Sequence, residues 1–262
     1  MAAVCFYQQP TCSPRLSREH VISAAVLRAV FGDPIRNLIR GDCLGEKALL
    51  DHEPVVRDVC ERCNNEALSD YDGAGVRLIQ QLIPCLDPTG LRLKLTSETM
   101  GWLLKTHLNY FRVVKDAETD LVYPVDQRIK TALVQRSDVP KDLYRLLVEG
   151  WVGEPYFWDG DDPRHIPWFQ YRSVRFTEQR ILLSDFRIKT LTTWLLLPTD
   201  ANYEEFEARS SSALAEVYRD FGFAPLQAID PAAVVRDGGI TLANILELDA
   251  VKRFIVPSAG ES

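Results

Sequence analysis

Two segments decide how this chain is read: Leu16-Ser17-Arg18-Glu19-His20-Val21-Ile22 and, downstream, Val59-Cys60-Glu61-Arg62-Cys63-Asn64-Asn65. In the first, apolar residues flank a polar centre, as on a short strand. Glu19 and His20 are adjacent, so a regular strand would send them to opposite faces. A bulge or a strand end must intervene if both are to reach one reacting group. In the second, a CxxC precedes an asparagine pair, and Cys63-Asn64-Asn65-Glu66-Ala67-Leu68 reads as the first turns of a helix. A lone Glu-His pair is common and carries no meaning. A lone CxxC more often marks a structural metal or a redox pair than a catalytic site. The combination, in this order, supplies parts that phosphodiester hydrolysis needs. A neutral imidazole near pH 7 can take a proton from water. A carboxylate (Glu19) and an amide carbonyl (Asn64) are hard oxygen donors for a divalent cation. Such a cation neutralises phosphate and the leaving oxygen.

Residues 5–72 resemble the HNH endonuclease group, whose pattern runs from a cysteine knuckle through S-x-E-H-x-I and V-C-x-x-C-N-N to a downstream acidic residue. Here the elements are Cys5, Ser17 to Ile22, Val59 to Asn65, and Asp70 or Asp72. The resemblance covers about a quarter of the chain. It implies a ββα-metal fold, a hairpin packed on a helix. It implies His20 as general base, with Glu19 and Asn64 as ligands of a catalytic Mg²⁺ or Mn²⁺. It implies nucleic acid as substrate, DNA ahead of RNA, and a role in genome defence or a mobile element. The chain departs from the pattern in three places. Ser23 stands where a proline follows Glu-His-x-Ile. Gln8 stands where the first knuckle has its second cysteine. A long spacer separates His20 from Cys60. Cys12 lies close enough to replace the missing cysteine, giving Cys5, Cys12, Cys60 and Cys63 as a tetrahedral zinc set. Cys43 and Cys85 read as ordinary buried thiols. His52, in Asp51-His52-Glu53-Pro54, is a rival base without apolar strand flanks.

Composition is that of an ordinary globular protein, 46% hydrophobic and 26% charged. No apolar run reaches the ~20 residues of a membrane helix. Cysteines in a metal-like spacing, starting at residue 5, lead to the expectation of a reducing cytoplasm and no cleavable leader. The net charge is −7, and the first 88 residues carry nine basic against twelve acidic side chains. Duplex DNA binding is dominated by phosphate contacts. The expectation is therefore weak binding, a protein partner that delivers or licenses the substrate, or a local basic face hidden by the average.

The pattern along the chain is α+β, with a nuclease-like region over 1–88 and an appended α+β domain over 91–257 for substrate selection or partner docking. The turn Asp87-Pro88-Thr89-Gly90 marks the boundary. Ser23 to Phe31 is helical, ended by Gly32-Asp33-Pro34. A strand is expected at Pro54–Arg57 and a helix from Glu61 towards Tyr71. After the boundary come a strand at Leu91–Leu95, a helix from Thr96 to Val114 with a core stripe of Trp102, Leu103, Thr106, Tyr110 and Val113, and a helix at Lys141–Glu149. Strands follow at Tyr171–Thr177, Arg180–Ile188 and Thr192–Leu197, then an amphipathic helix at Asn202–Arg219. The aromatics Trp151, Tyr156, Phe157, Trp158, Trp168, Phe169 and Tyr171 surround an acidic loop holding His165. They read as a core hairpin or partner surface.

Overall fold

The computed structural model describes residues 4–32, 38–41, 47–50, 55–83, 92–93, 95–113, 125–140, 142–151, 169–188, 191–200, 202–220, 240–241 and 245–246. The architecture is mixed α and β. The chain divides into two compact units, residues 1–80 with 96–143, and residues 81–95 with 144–262. The division differs from the expected boundary at 88–91, because the helix after residue 96 packs with the motif-bearing segment.

In the first unit, β1 (Leu16–His20) pairs antiparallel with β4 (Val55–Cys60). Between them come helix α1 (Ala24–Phe31) and a hairpin of β2 (Leu38–Gly41) with β3 (Lys47–Leu50). Ser23 caps α1 by accepting from the Val26 N–H at 3.4 Å, which explains why the residue in the proline's place starts a helix. Gly32 closes it at φ 83°, a left-handed value that suits glycine. β4 runs on into a π-helical turn (Cys63–Leu68) and then α2 (Ser69–Leu82), which continues through Gly73 and Gly75. Helix α3 (Ser97–Val113) buries Trp102, Leu103 and Thr106 of the expected core stripe. A β-carbon on Gly75 would land inside the Trp102 indole, and one on Gly101 inside the Tyr71 ring. Each helix thus lends a glycine to an aromatic of the other, which draws α2 and α3 close together.

Helix α4 (Gln127–Gln135) was not expected, although its signals are present. Asp126 accepts from the Arg128 N–H at 2.7 Å, and Ile129, Ala132 and Leu133 form its buried stripe. Arg136 ends it at φ 55°. The Arg136 guanidinium donates to the carbonyls of Glu66 (2.6 Å) and Ala67 (3.2 Å) and pairs with Asp70. It pins the π turn from outside, where altered helical geometry needs extra partners.

The second unit is built on a five-stranded sheet in the order β11-β6-β9-β8-β7. Its strands are β6 (Arg145–Trp151), β7 (Phe169–Phe176), β8 (Ile181–Ile188), β9 (Leu191–Pro198) and β11 (Ile245–Leu246). A separate two-stranded pair joins β5 (Arg92–Leu93) to β10 (Ile240–Thr241). β9 is buried at all eight positions, as its near-continuous apolar run requires of a central strand. Helix α5 (Phe206–Asp220) covers the sheet through Phe206, Ala213 and Leu214, which cluster with Leu147, Ile181, Trp194 and Leu196. The expected helix at Lys141–Glu149 is corrected: Arg145 to Trp151 is strand β6, in register with β9 from Arg145↔Leu196 to Gly150↔Leu191. A short apolar run such as Leu146-Leu147-Val148 fits either period, and pairing with β9 decides it. His52, Cys43, Cys85, His165 and most of the aromatic cluster lie outside the described residues.

Candidate functional site

Cys5, Cys12, Cys60 and Cys63 converge. Their sulfur atoms all lie within 4.8 Å of one another, and Cys12 and Cys63 are 3.7 Å apart. A tetrahedral ion with metal–sulfur bonds of about 2.3 Å sets its ligands roughly 3.8 Å apart, so the cluster is compatible with a structural zinc. Cys12 occupies the fourth corner, in place of the cysteine missing at Gln8. Backbone N–H groups turn toward the sulfurs, from Gln9 to Cys12 (3.2 Å), Cys60 to Cys5 (3.3 Å) and Cys63 to Cys60 (3.4 Å). Such donors stabilise thiolate. Burial pushes the Cys60 thiol up, but the Cys63 N–H and thiol with Ser13 outweigh it and hold Cys60 down at about 6. Cys12 is pushed up to about 11, chiefly by burial, and Cys63 is raised by burial and the neighbouring sulfurs. Four sulfurs this close cannot all ionise unaided, whereas a zinc ion among them would favour the thiolate form of each, so the set fits the chemistry of a zinc donor set.

The β1–β4 register slips between Ser17 and Glu19. Ser17 faces Val59, whereas Glu19 faces Val56 and His20 faces Val55. The extra residue is therefore on β4, where Arg57 and Asp58 stand opposite Arg18. The bulge lies before the Glu-His pair and does not bring its members together. Glu19 is 2% exposed and faces the interior, while His20 is half-buried on the other face.

Inside, Glu19 meets a polar line on α3. Lys105 Nζ lies 2.8 Å from Glu19 Oε1 and 2.8 Å from Asp72 Oδ1. Asn109 Nδ2 donates to the same Glu19 oxygen (3.3 Å) and to the His20 carbonyl (2.9 Å). Arg112 donates to Asn109 Oδ1, pairs with Asp58 at 2.6 Å and lies 4.3 Å over the Phe6 ring. Burial alone would pull the Lys105 ammonium's pKa down; Glu19 and Asp72 together more than reverse that, and the net shift is upward. Sequence reasoning missed all three residues. Their spacing of four and three along one helix is the signal that could have found them.

Asn64 donates from Nδ2 to Ser17 Oγ (3.0 Å) and to the Arg18 carbonyl (3.0 Å). Its amide thus ties the π turn to β1. Asp72, one of the two acidic residues in the sequence pattern, reaches Lys105, and Asp70 pairs with Arg136. Among the residues expected to form one site, the four cysteines come together and Asn64 reaches β1. Glu19 and His20 separate to opposite faces. Among the described residues, no helix is long and apolar enough to cross a membrane. No family model matches this chain, and no curated protein or solved structure matches it.

Proposed function

We propose that this chain is an HNH-type endonuclease, hydrolysing nucleic-acid phosphodiester bonds, DNA ahead of RNA, on a zinc-stapled ββα-metal unit. One observation carries the reading. The β1–β4 pair has His20 at one end and Cys60 at the other, runs straight into a helix, and is tied to that helix by Asn64. Cys5, Cys12, Cys60 and Cys63 would hold the zinc, which would fix β4 and the π turn without taking part in the reaction.

In this reading the His20 imidazole accepts a proton from water as the water oxygen adds to phosphorus. The P–O ester bond breaks, and the departing oxygen takes a proton from solvent. The products are a phosphate monoester and an alcohol. A bound Mg²⁺ or Mn²⁺ would neutralise the phosphate and the leaving oxygen. Glu19 does not fit that ion while Lys105 holds its carboxylate at 2.8 Å inside the protein. Asn64 is engaged through its amide nitrogen. A protein partner that delivers the substrate, and a role in genome defence, belong to the same proposal.

The Glu19–Lys105 pair favours a second reading: a non-catalytic, zinc-stapled module that engages a protein or nucleic-acid partner. Plasmid, linear duplex, single-stranded DNA and RNA, each incubated with the purified chain and Mg²⁺ or Mn²⁺, separate the two. Cleavage of any substrate supports the nuclease. Intact substrate throughout, from zinc-replete folded protein, favours the module.

A further inference from the structure

The outer face of β1–β4 carries more than His20. Side chains alternate along a strand, so Arg18 shares the face of His20, and Arg57, which follows the inward Val56, points outward across the pair. Both arginines are exposed. Opposite positions on paired strands bring side chains to roughly 5 Å, and like charges so placed repel. The exposed Arg15 and Arg62 have carboxylate partners in Glu61 and Glu66. Arg18 and Arg57 have no ion pair among the described residues. Asp58, the carboxylate at the bulge, is taken by Arg112 from α3. Asn64 meanwhile fixes the Arg18 backbone through its carbonyl. Two positive groups thus sit together at the bulge, on one side of the His20 rung and on a held backbone, and neither is spent on an ion pair among the described residues.

We propose that Arg18 and Arg57 clamp the sugar-phosphate backbone of a nucleic acid across this face. Their planar guanidinium groups match phosphate oxygens two at a time. The placement of that backbone against the His20 imidazole rests on the nuclease reading. The clamp is a local basic site on a chain whose net charge of −7 conceals it.

The test is binding of fluorescein-labelled single-stranded and duplex oligonucleotides by the full chain, without added divalent ion, across a salt series. Substituting an exposed side chain at Arg18 leaves its hydrogen-bonded carbonyl in place. Arg18→Ala and Arg57→Ala should each weaken binding. Each should also flatten the slope of log affinity against log salt by about 0.7 for single strands and 0.9 for duplex. Arg175→Ala, at an exposed arginine of β7, should change neither. Slopes for the two variants that match Arg175→Ala, or no binding by the wild type at low salt, would overturn the clamp. Cleavage with unaltered slopes removes the clamp and leaves the nuclease standing. Flattened slopes with no cleavage of any substrate keep the clamp and remove the nuclease.

Discussion

Lys105 Nζ and Glu19 Oε1 sit 2.8 Å apart with side chains 2% and 3% exposed. They come from a helix and a strand far apart in the sequence, and they form a buried ion pair within one unit. Removing one partner of such a pair leaves an uncompensated buried charge, which costs about 3–5 kcal/mol. Lys105→Met, which strands the Glu19 carboxylate, should lower unfolding free energy by that order, read by urea titration, and Glu19→Leu by less, because Asp72 still holds the Lys105 ammonium. The double variant should recover most of the loss. Additive losses in the double variant would mean the two side chains do not act as a pair.

The pair also fixes a pH response. The Lys105 ammonium is held above its ordinary value by Glu19 and Asp72, against the opposing effect of burial. A lysine raised in the folded state contributes stability that is whole below its unfolded value of about 10.4 and lost as pH climbs through the folded value. Wild type should therefore keep its advantage over Lys105→Met from pH 7 to about 10 and lose it above. An advantage that instead falls away between pH 7 and 9 would contradict the assignment.

For the metal centre, protein purified without added zinc should carry one zinc per chain. Cys12→Ser should lower both zinc content and melting temperature, because Cys12 supplies the fourth sulfur. Zinc at full content in Cys12→Ser, with an unchanged melt, would show that the first knuckle is closed some other way.

Much of this was legible in residues and much was not. The four-cysteine set was readable because metal ligands leave a spacing signature, and Cys12 was the nearest replacement for the missing corner. The strands and helices with long apolar patterns, α1, α3, β8 and β9, were readable from periodicity. The partner of Glu19 was not. Lys105, Asn109 and Arg112 lie on a helix that follows the strong turn signal at Asp87–Gly90, and the helix carries an apolar stripe as well as this polar line, so its sequence alone does not assign it to Glu19. The faces of Glu19 and His20 hinged on which strand carries the bulge, a property of pairing that β1 alone does not encode. Strand β6 read as helix for the same reason.

The interlock of α2 and α3 makes a sharp prediction. Gly75→Ala and Gly101→Ala each drive a β-carbon into an aromatic ring of the facing helix. Overpacking of this kind costs about 1–3 kcal/mol, more than the gain in helix propensity from alanine. Either variant should melt earlier than wild type. A stabilised variant would mean the helices are not in close contact there.

The most direct test of the proposed chemistry is the rate of phosphodiester cleavage by wild type, His20→Ala and His52→Ala on one substrate, with Mg²⁺ or Mn²⁺ present. His20 is half-buried on the outer face, so its loss should leave the fold intact by circular dichroism. Removing a general base should slow cleavage by about 10²–10⁴-fold, while His52→Ala stays near wild type. Wild-type rates in His20→Ala, with His52→Ala inactive, would contradict the account.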